Sequence, residues 1–315
     1  MAGSYLNTEK TGLLQEKIQQ AEKELAACTL CPRKCGVDRL AGEKGYCGSG
    51  ALAEIASYGP HFGEESVLIG RNGSGTIFFC GCNLRCCFCQ NYEISHCFEG
   101  ECRSVDEHAL AAIMLELQKK GCHNINLVTP GHVVPQIIAA LPHAIACGLH
   151  IPLVYNCGGY ESVETLLLLE GIVDIYMPDV KFWHKELAIQ YAEASDYRQK
   201  VEGALLEMQR QVGDLWINSS GVAERGLLVR HLLMPGGMEE SKAIFNYLAE
   251  HVSKKCYLNI MDQYRPCGRA LDIAGLEKTI TAEQYQQAVI SAEESGLTRL
   301  DKKDFYQLVK RLLRL

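Results

Sequence analysis

The sequence predicts an α/β fold, a partial (β/α)6 TIM-like barrel with a small Cys-rich N-terminal module before it and C-terminal helices after it. Three observations carry that expectation. Short β-rich runs alternate with longer helical patterns, polar residues follow nearly every strand, and an aperiodic stretch dense in Gly and Cys precedes both.

At the start of the chain, Leu14, Ile18, Ala21 and Leu25 recur at helical spacing, which predicts one amphipathic helix docked on a larger body. The stretch from Cys28 to about Gly59 has little periodicity and cannot hold itself together by burial alone, so a bound metal is expected to help it fold. Residues 1–62 are read as helix and module, 63–270 as barrel and 271–315 as a helical extension.

Six strands are expected: Thr76 to Phe79, Asn124 to Val128, Pro152 to Tyr155, Val173 to Met177, Leu228 to Leu233 and Tyr257 to Ile260. Helical patterns lie between them, including Val105 to Lys120, with Ser104 and Glu107 as a capping box, and Glu239 to Ser253. An open doubly wound sheet satisfies the same alternation. The polar residues after the strands favour the barrel, whose strand-end loops converge on one face. Two helices close the chain, one opened by Thr281 with Gln284 and one by Asp301, ending in KRLLRL.

With 315 residues, 47% hydrophobic and 22% charged, the chain can bury a large core, which excludes disordered and fibrous classes. A net charge of −7 gives no electrostatic reason to expect nucleic acid or an acidic membrane surface as a partner. The N-terminus lacks the apolar stretch of a signal peptide, and no run approaches the ~20 apolar residues of a membrane span. A cytoplasmic protein is expected. Reducing cytosol disfavours a disulfide framework, so the clustered thiols among its 16 cysteines read as metal ligands or catalytic groups. Nine lie in two tight groups, at 28 to 47 and 80 to 89; Cys122, Cys147, Cys157, Cys256 and Cys267 read as small core residues.

In TIFFCGCNLRCCFCQNYEIS, Cys82, Cys86 and Cys89 follow an apolar strand with spacings of three and two. Three ligands from one loop fall one short of a structural zinc site or an electron-transfer [4Fe-4S] cluster, and leave one iron of a cubane open. Cys80 and Cys87 keep a four-thiolate zinc knuckle in view. Phe88, between the second and third ligands, is placed to shield one face of a cluster. The string CTLCPRKCGVDRLAGEKGYC supplies four more thiols, Cys28, Cys31, Cys35 and Cys47, which suit tetrahedral zinc or a second Fe-S cluster.

CNLRCCFC resembles the CxxxCxxC signature of the radical S-adenosylmethionine superfamily, including the aromatic before the last cysteine. The resemblance implies that Cys82, Cys86 and Cys89 hold a [4Fe-4S] cluster that cleaves S-adenosylmethionine to a 5′-deoxyadenosyl radical. From about Cys28 to Arg269 the chain is similar to pyruvate formate-lyase activating enzymes and their relatives. VDIYMPDVKF resembles their Asp-x-Lys turn, which implies that Asp179 and Lys181 lie near the cofactor. GLLVRHLLMPG resembles the strand whose basic residue contacts S-adenosylmethionine, with His231 as the match and Arg230 on the opposite pleat. VYNCGGY is similar to a Thr-Asn-Gly turn, with Asn156 as the retained amide. The family's Gly-Gly-Glu-Pro segment is replaced by NLVTPGH, where Thr129 is assigned the cofactor contact.

The resemblance thus implies an anaerobic oxidoreductase, activating a glycyl-radical enzyme as its protein substrate and drawing electrons from a flavodoxin or ferredoxin. The same chemistry on another peptide, protein or small molecule, and a non-catalytic zinc or electron-carrier protein, are the alternatives.

Overall fold

The computed structural model describes residues 2–97 and 101–301. The chain opens with α1 (Tyr5–Lys10) and α2 (Leu13–Ala26), then β1 (Ala53–His61), α3 (Ser66–Ile69), β2 (Ser74–Phe79) and β3 (Arg103–Val105). Next come α4 (Glu107–Lys119), β4 (Ile125–Val128), α5 (Val134–Ala146), β5 (Leu153–Cys157), α6 (Val163–Leu168) and β6 (Ile175–Pro178). The second half holds α7 (Lys185–Ala192), α8 (Tyr197–Val212), β7 (Trp216–Ile217), β8 (Ala223–Leu232), α9 (Met238–Tyr247), β9 (Tyr257–Met261), α10 (Ala282–Glu294) and β10 (Arg299–Leu300).

The strands form one sheet in the order β10-β9-β8-β6-β5-β4-β2-β1-β3, with β7 paired to β8. From β2 through β10 all neighbours on that path are parallel. Spatial order there follows chain order without reversal, so each connection steps the same way and no doubly wound switch point arises. All six strands read from the sequence are present, in this order. The sheet is not closed: β3 and β10 are its ends.

Side chains alternate across the sheet with the period of two that a strand imposes. Ile77, Leu127, Tyr155, Tyr176 and Val229 pack among the helices. Val154, Ile175, Met177 and Leu228 point to the other face, where Val67 and Leu68 of α3 cover them. That inner face therefore has an apolar floor built from the segment before β2, and polar residues occur further along the strands.

β1, within the segment read as an N-terminal module, pairs antiparallel with β2, and β10, within the C-terminal extension, adds to β9. Helix α2 buries Leu14, Ile18, Ala21 and Leu25, the four residues of its predicted stripe, and docks on α5. The cap of α4 is Asp106, accepting from the Ala109 N–H, and not Ser104, which is taken up in β3. Thr281 and Gln284 do form the capping box of α10. Residues 302–315, with KRLLRL, lie outside the described residues. Among the scattered cysteines, Cys122, Cys157 and Cys256 are buried, but Cys147 is exposed and Cys267 half-buried, because both fall in connections and not on a packed face. Cys80 and Cys102 form a disulfide, so the thiols are not all free, contrary to the expectation from a reducing compartment.

Candidate metal centre at the strand ends

Strand β2 delivers the chain to Cys80 and Gly81, where the left-handed φ of 86° turns it into the cysteine loop. A side chain on Gly81 would meet the Cys47 carbonyl at 2.5 Å, so the N-terminal cysteine stretch sits directly on this turn. Within the loop the Cys89 N–H bonds the Cys86 carbonyl (3.1 Å) and the Leu84 N–H bonds the Cys82 sulfur (3.4 Å). Ser95 Oγ stands 3.3 Å from the Cys89 sulfur. Cys82 and Cys86 each feel the charge of Cys89, and Cys86 that of Cys82, so the three thiols lie within electrostatic reach of one another. Burial pushes Cys82 up to about 12 and Cys86 higher still; the Lys181 ammonium opposes that rise in both.

Cys87 is turned elsewhere. Its thiol lies among Arg269, Tyr191 and Tyr264, and its backbone pairs with Tyr191 and Arg269. With Cys80 in the disulfide, the zinc knuckle drawn from five cysteines has no fourth thiolate at hand. A tetrahedral zinc, with Zn–S of about 2.3 Å, would also draw its sulfurs to about 4 Å from one another. Among the described residues no three thiols converge within 4.8 Å; the trio that meets that limit is Glu107, His108 and His143, largely exposed on α4 and α5. Phe88 is buried edge-on to Phe182 at 6.0 Å and tilted against Tyr264, closing the loop from one side.

Beside the thiols lies a half-buried ionic chain. Lys181 Nζ donates to Asp179 Oδ2 at 2.5 Å, Arg230 Nε donates to Asp179 Oδ1 at 2.6 Å, and Arg230 Nη2 donates to Asn156 Oδ1 at 2.7 Å. Glu64 and Glu65 stand 3.8 Å from the same guanidinium. Burial would raise the Asp179 carboxyl, but Arg230 and Lys181 outweigh it and hold it low. Asn156, Asp179 and Lys181, expected from β5 and β6, are thus brought together with the cysteine loop.

His231 is not. The pleat of β8 sends it outward, where its ring bonds the Val180 carbonyl (2.7 Å) and Ser241 Oγ (2.8 Å) and abuts Phe245. Its neighbour Arg230 occupies the inner face. Thr129 follows β4 at a φ of 59°, a left-handed conformation unusual for a residue other than glycine, and its N–H bonds the Asn156 carbonyl at 2.8 Å. It joins the set through its backbone.

Glu161 was not read from the sequence. It is buried, accepts from Tyr155 Oη at 2.8 Å, and burial raises its carboxyl to about 7. It influences both Cys31 and Cys82, and so lies between the two cysteine groups. Its place in CGGYES offered no spacing that could reveal this. The sequence marks Arg230 only as the neighbour of His231 on the opposite pleat; the phase of β8 places it beside Asp179 and Asn156.

No protein-family model matches the chain. An uncharacterised protein of Methanocaldococcus jannaschii is 28% identical over 295 residues, covering 91% of this chain and 80% of that one. Among solved structures, the cobalamin-dependent S-adenosylmethionine radical enzyme OxsB is similar with a TM-score of 0.41 and 13% identity over 78% of this chain. Streptococcus suis SuiB, bound to its precursor peptide SuiA, gives 0.47 and 10% over 70%, and anSMEcpe with bound AdoMet gives 0.43 and 12% over 74%. The chain spans 36%, 45% and 64% of those three structures' own lengths. Among the described residues no helix is long and apolar enough to cross a membrane.

Proposed function

We propose that the protein is a radical S-adenosylmethionine enzyme with its [4Fe-4S] cluster on Cys82, Cys86 and Cys89. The observation that supports this reading is the placement of those three cysteines in one loop directly after β2, beside the Lys181–Asp179–Arg230 chain at the strand ends. When bound, the cluster would supply one electron to cleave S-adenosylmethionine into methionine and the 5′-deoxyadenosyl radical. The three cysteines would leave one iron of that cluster without a protein ligand. Lys181 favours the thiolate forms that metal binding requires. Asn156, Asp179, Lys181, Arg230 and the strained Thr129 turn line the strand ends where the amino-acid and ribose groups of S-adenosylmethionine would be held. Phe88, Phe182 and Tyr264 exclude water beside the loop.

The finer reading is activation of a glycyl-radical enzyme, with hydrogen taken from a glycine Cα of a protein and electrons delivered by a flavodoxin or ferredoxin. The resemblance of VDIYMPDVKF to the activase Asp-x-Lys turn supports it. Replacement of the Gly-Gly-Glu-Pro segment by NLVTPGH favours a second reading, the same radical applied to another peptide, protein or small molecule.

The test is anaerobic reconstitution with iron and sulfide, reduction with dithionite, and assay of 5′-deoxyadenosine after adding S-adenosylmethionine. The native chain is expected to form it, and Cys89→Ala to lose it. Absence of product from the native chain with a full complement of iron would overturn the reading. Addition of a glycyl-radical enzyme to the same mixture, read by electron paramagnetic resonance, separates the two substrate readings.

A further inference from the structure

The N-terminal cysteines form a second group with an unusual electrostatic demand. Cys28, Cys31 and Cys47 are buried and Cys35 is exposed, and the charge of Cys28 is felt with that of Cys47 and Cys35, that of Cys31 with Cys47 and Cys28. The Tyr46 N–H donates to the Cys35 sulfur (3.4 Å) and Arg39 Nη2 to the Cys47 sulfur (3.5 Å). Sulfurs that accept hydrogen bonds match thiolates held by a metal, since a neutral thiol is a weak acceptor.

Arg39 supplies the independent observation. It is 2% exposed, donates to the His132 carbonyl at 2.6 Å and to the Cys47 sulfur, and leaves its Nε buried without a partner. Among the described residues no carboxylate pairs with it. A buried guanidinium is always charged, and burying it without an opposite charge costs several kcal/mol. Cys47 and Cys28 of this group lie within its reach.

We propose that Cys28, Cys31, Cys35 and Cys47 hold a four-thiolate iron–sulfur cluster whose negative charge is balanced by the buried Arg39. A single zinc is the poorer occupant, because its sulfurs would lie about 4 Å apart and no three thiols among the described residues fall within 4.8 Å of one another. The cluster sits on the Cys82 loop through the Cys47 carbonyl over Gly81, through Arg33 Nε to the Asn83 carbonyl (2.9 Å), and through Arg39 to His132, whose ring bonds the Cys80 carbonyl (2.7 Å).

The experiment uses the full chain carrying Cys82→Ala, Cys86→Ala and Cys89→Ala, with His108→Ala added so that the surface trio contributes no ion. Metal and sulfide analysis with visible and Mössbauer spectra is expected to find one iron–sulfur cluster per chain, its iron count giving the type. Zinc alone, or no metal, overturns the proposal. The converse variant, Cys28→Ser with Cys31→Ser in the otherwise native chain, is expected to lose that cluster's iron and keep the other's. In the first chain, Arg39→Met is expected to lower the cluster's reduction potential and Arg39→Lys to restore it, because removing a buried cation disfavours the added electron. An unchanged potential overturns the role given to Arg39. Iron in the quadruple variant is read without S-adenosylmethionine, so it stands or falls separately from the radical reading.

Discussion

At Arg230 and His231 two adjacent basic residues part company because a strand sends successive side chains to opposite faces. Arg230 joins Asp179 and Asn156 on the inner face; His231 fills a site between β8 and α9. Charge-assisted hydrogen bonds contribute about 1.5–3 kcal/mol each. Arg230→Ala is therefore expected to weaken S-adenosylmethionine binding by about tenfold or more, whereas His231→Gln costs about 1–3 kcal/mol of stability and leaves binding unchanged. Isothermal titration and chemical denaturation of both variants check this; the reverse pattern restores His231 to the site. The other strand-end residues were legible from VYNCGGY and VDIYMPDVKF because a turn motif fixes both residue and place. The strand phase was not fixed by a motif, since GLLVRHLLMPG is apolar on both pleats except at this pair.

Among elements, the segment from β2 to β3 shows how a loop that must hold thiols is itself held. Cys80 ends β2, Cys102 precedes β3, and their disulfide closes a loop over 22 positions that contains Cys82, Cys86 and Cys89. Closing a loop of that size removes unfolded-state entropy worth about 3 kcal/mol. Cys102→Ser is expected to lose about that much stability, and the native chain to show two fewer reactive thiols before reduction than after. Equal thiol counts would show the pair to be reduced. Neither half of this pairing was readable, because Cys80 competes with four nearby thiols in the sequence and a cytosolic reading argued against disulfides. Periodicity, by contrast, read α2 to the residue, since one buried stripe is all that a docked helix requires.

For the molecule as a whole, the two cysteine groups and the sheet are one body, and Glu161 lies where they meet. Its carboxyl rises to about 7 from an ordinary 4.5 because it is buried, with Tyr155 as a donor. The folded state then binds more protons than the unfolded state between those values. Stability from this group is full below its unfolded pKa and is lost as pH rises through the folded one, by on the order of 3 kcal/mol. Glu161→Gln is expected to flatten the decline between pH 5 and 7 in denaturant titrations; an unchanged slope would locate the titration elsewhere. The sequence by itself determined the alternation of six strands with helices, the two thiol groups and the polar strand ends, because spacing and local chemistry carry that information. Only the tertiary structure decided that β1 and β10 extend the same sheet, that Arg230 faces inward, that Cys80 pairs with Cys102, and that Glu161 and Arg39 stand beside thiols. Each of these depends on contacts between residues far apart in the chain, where burial and strand phase act and local sequence pattern has no reach.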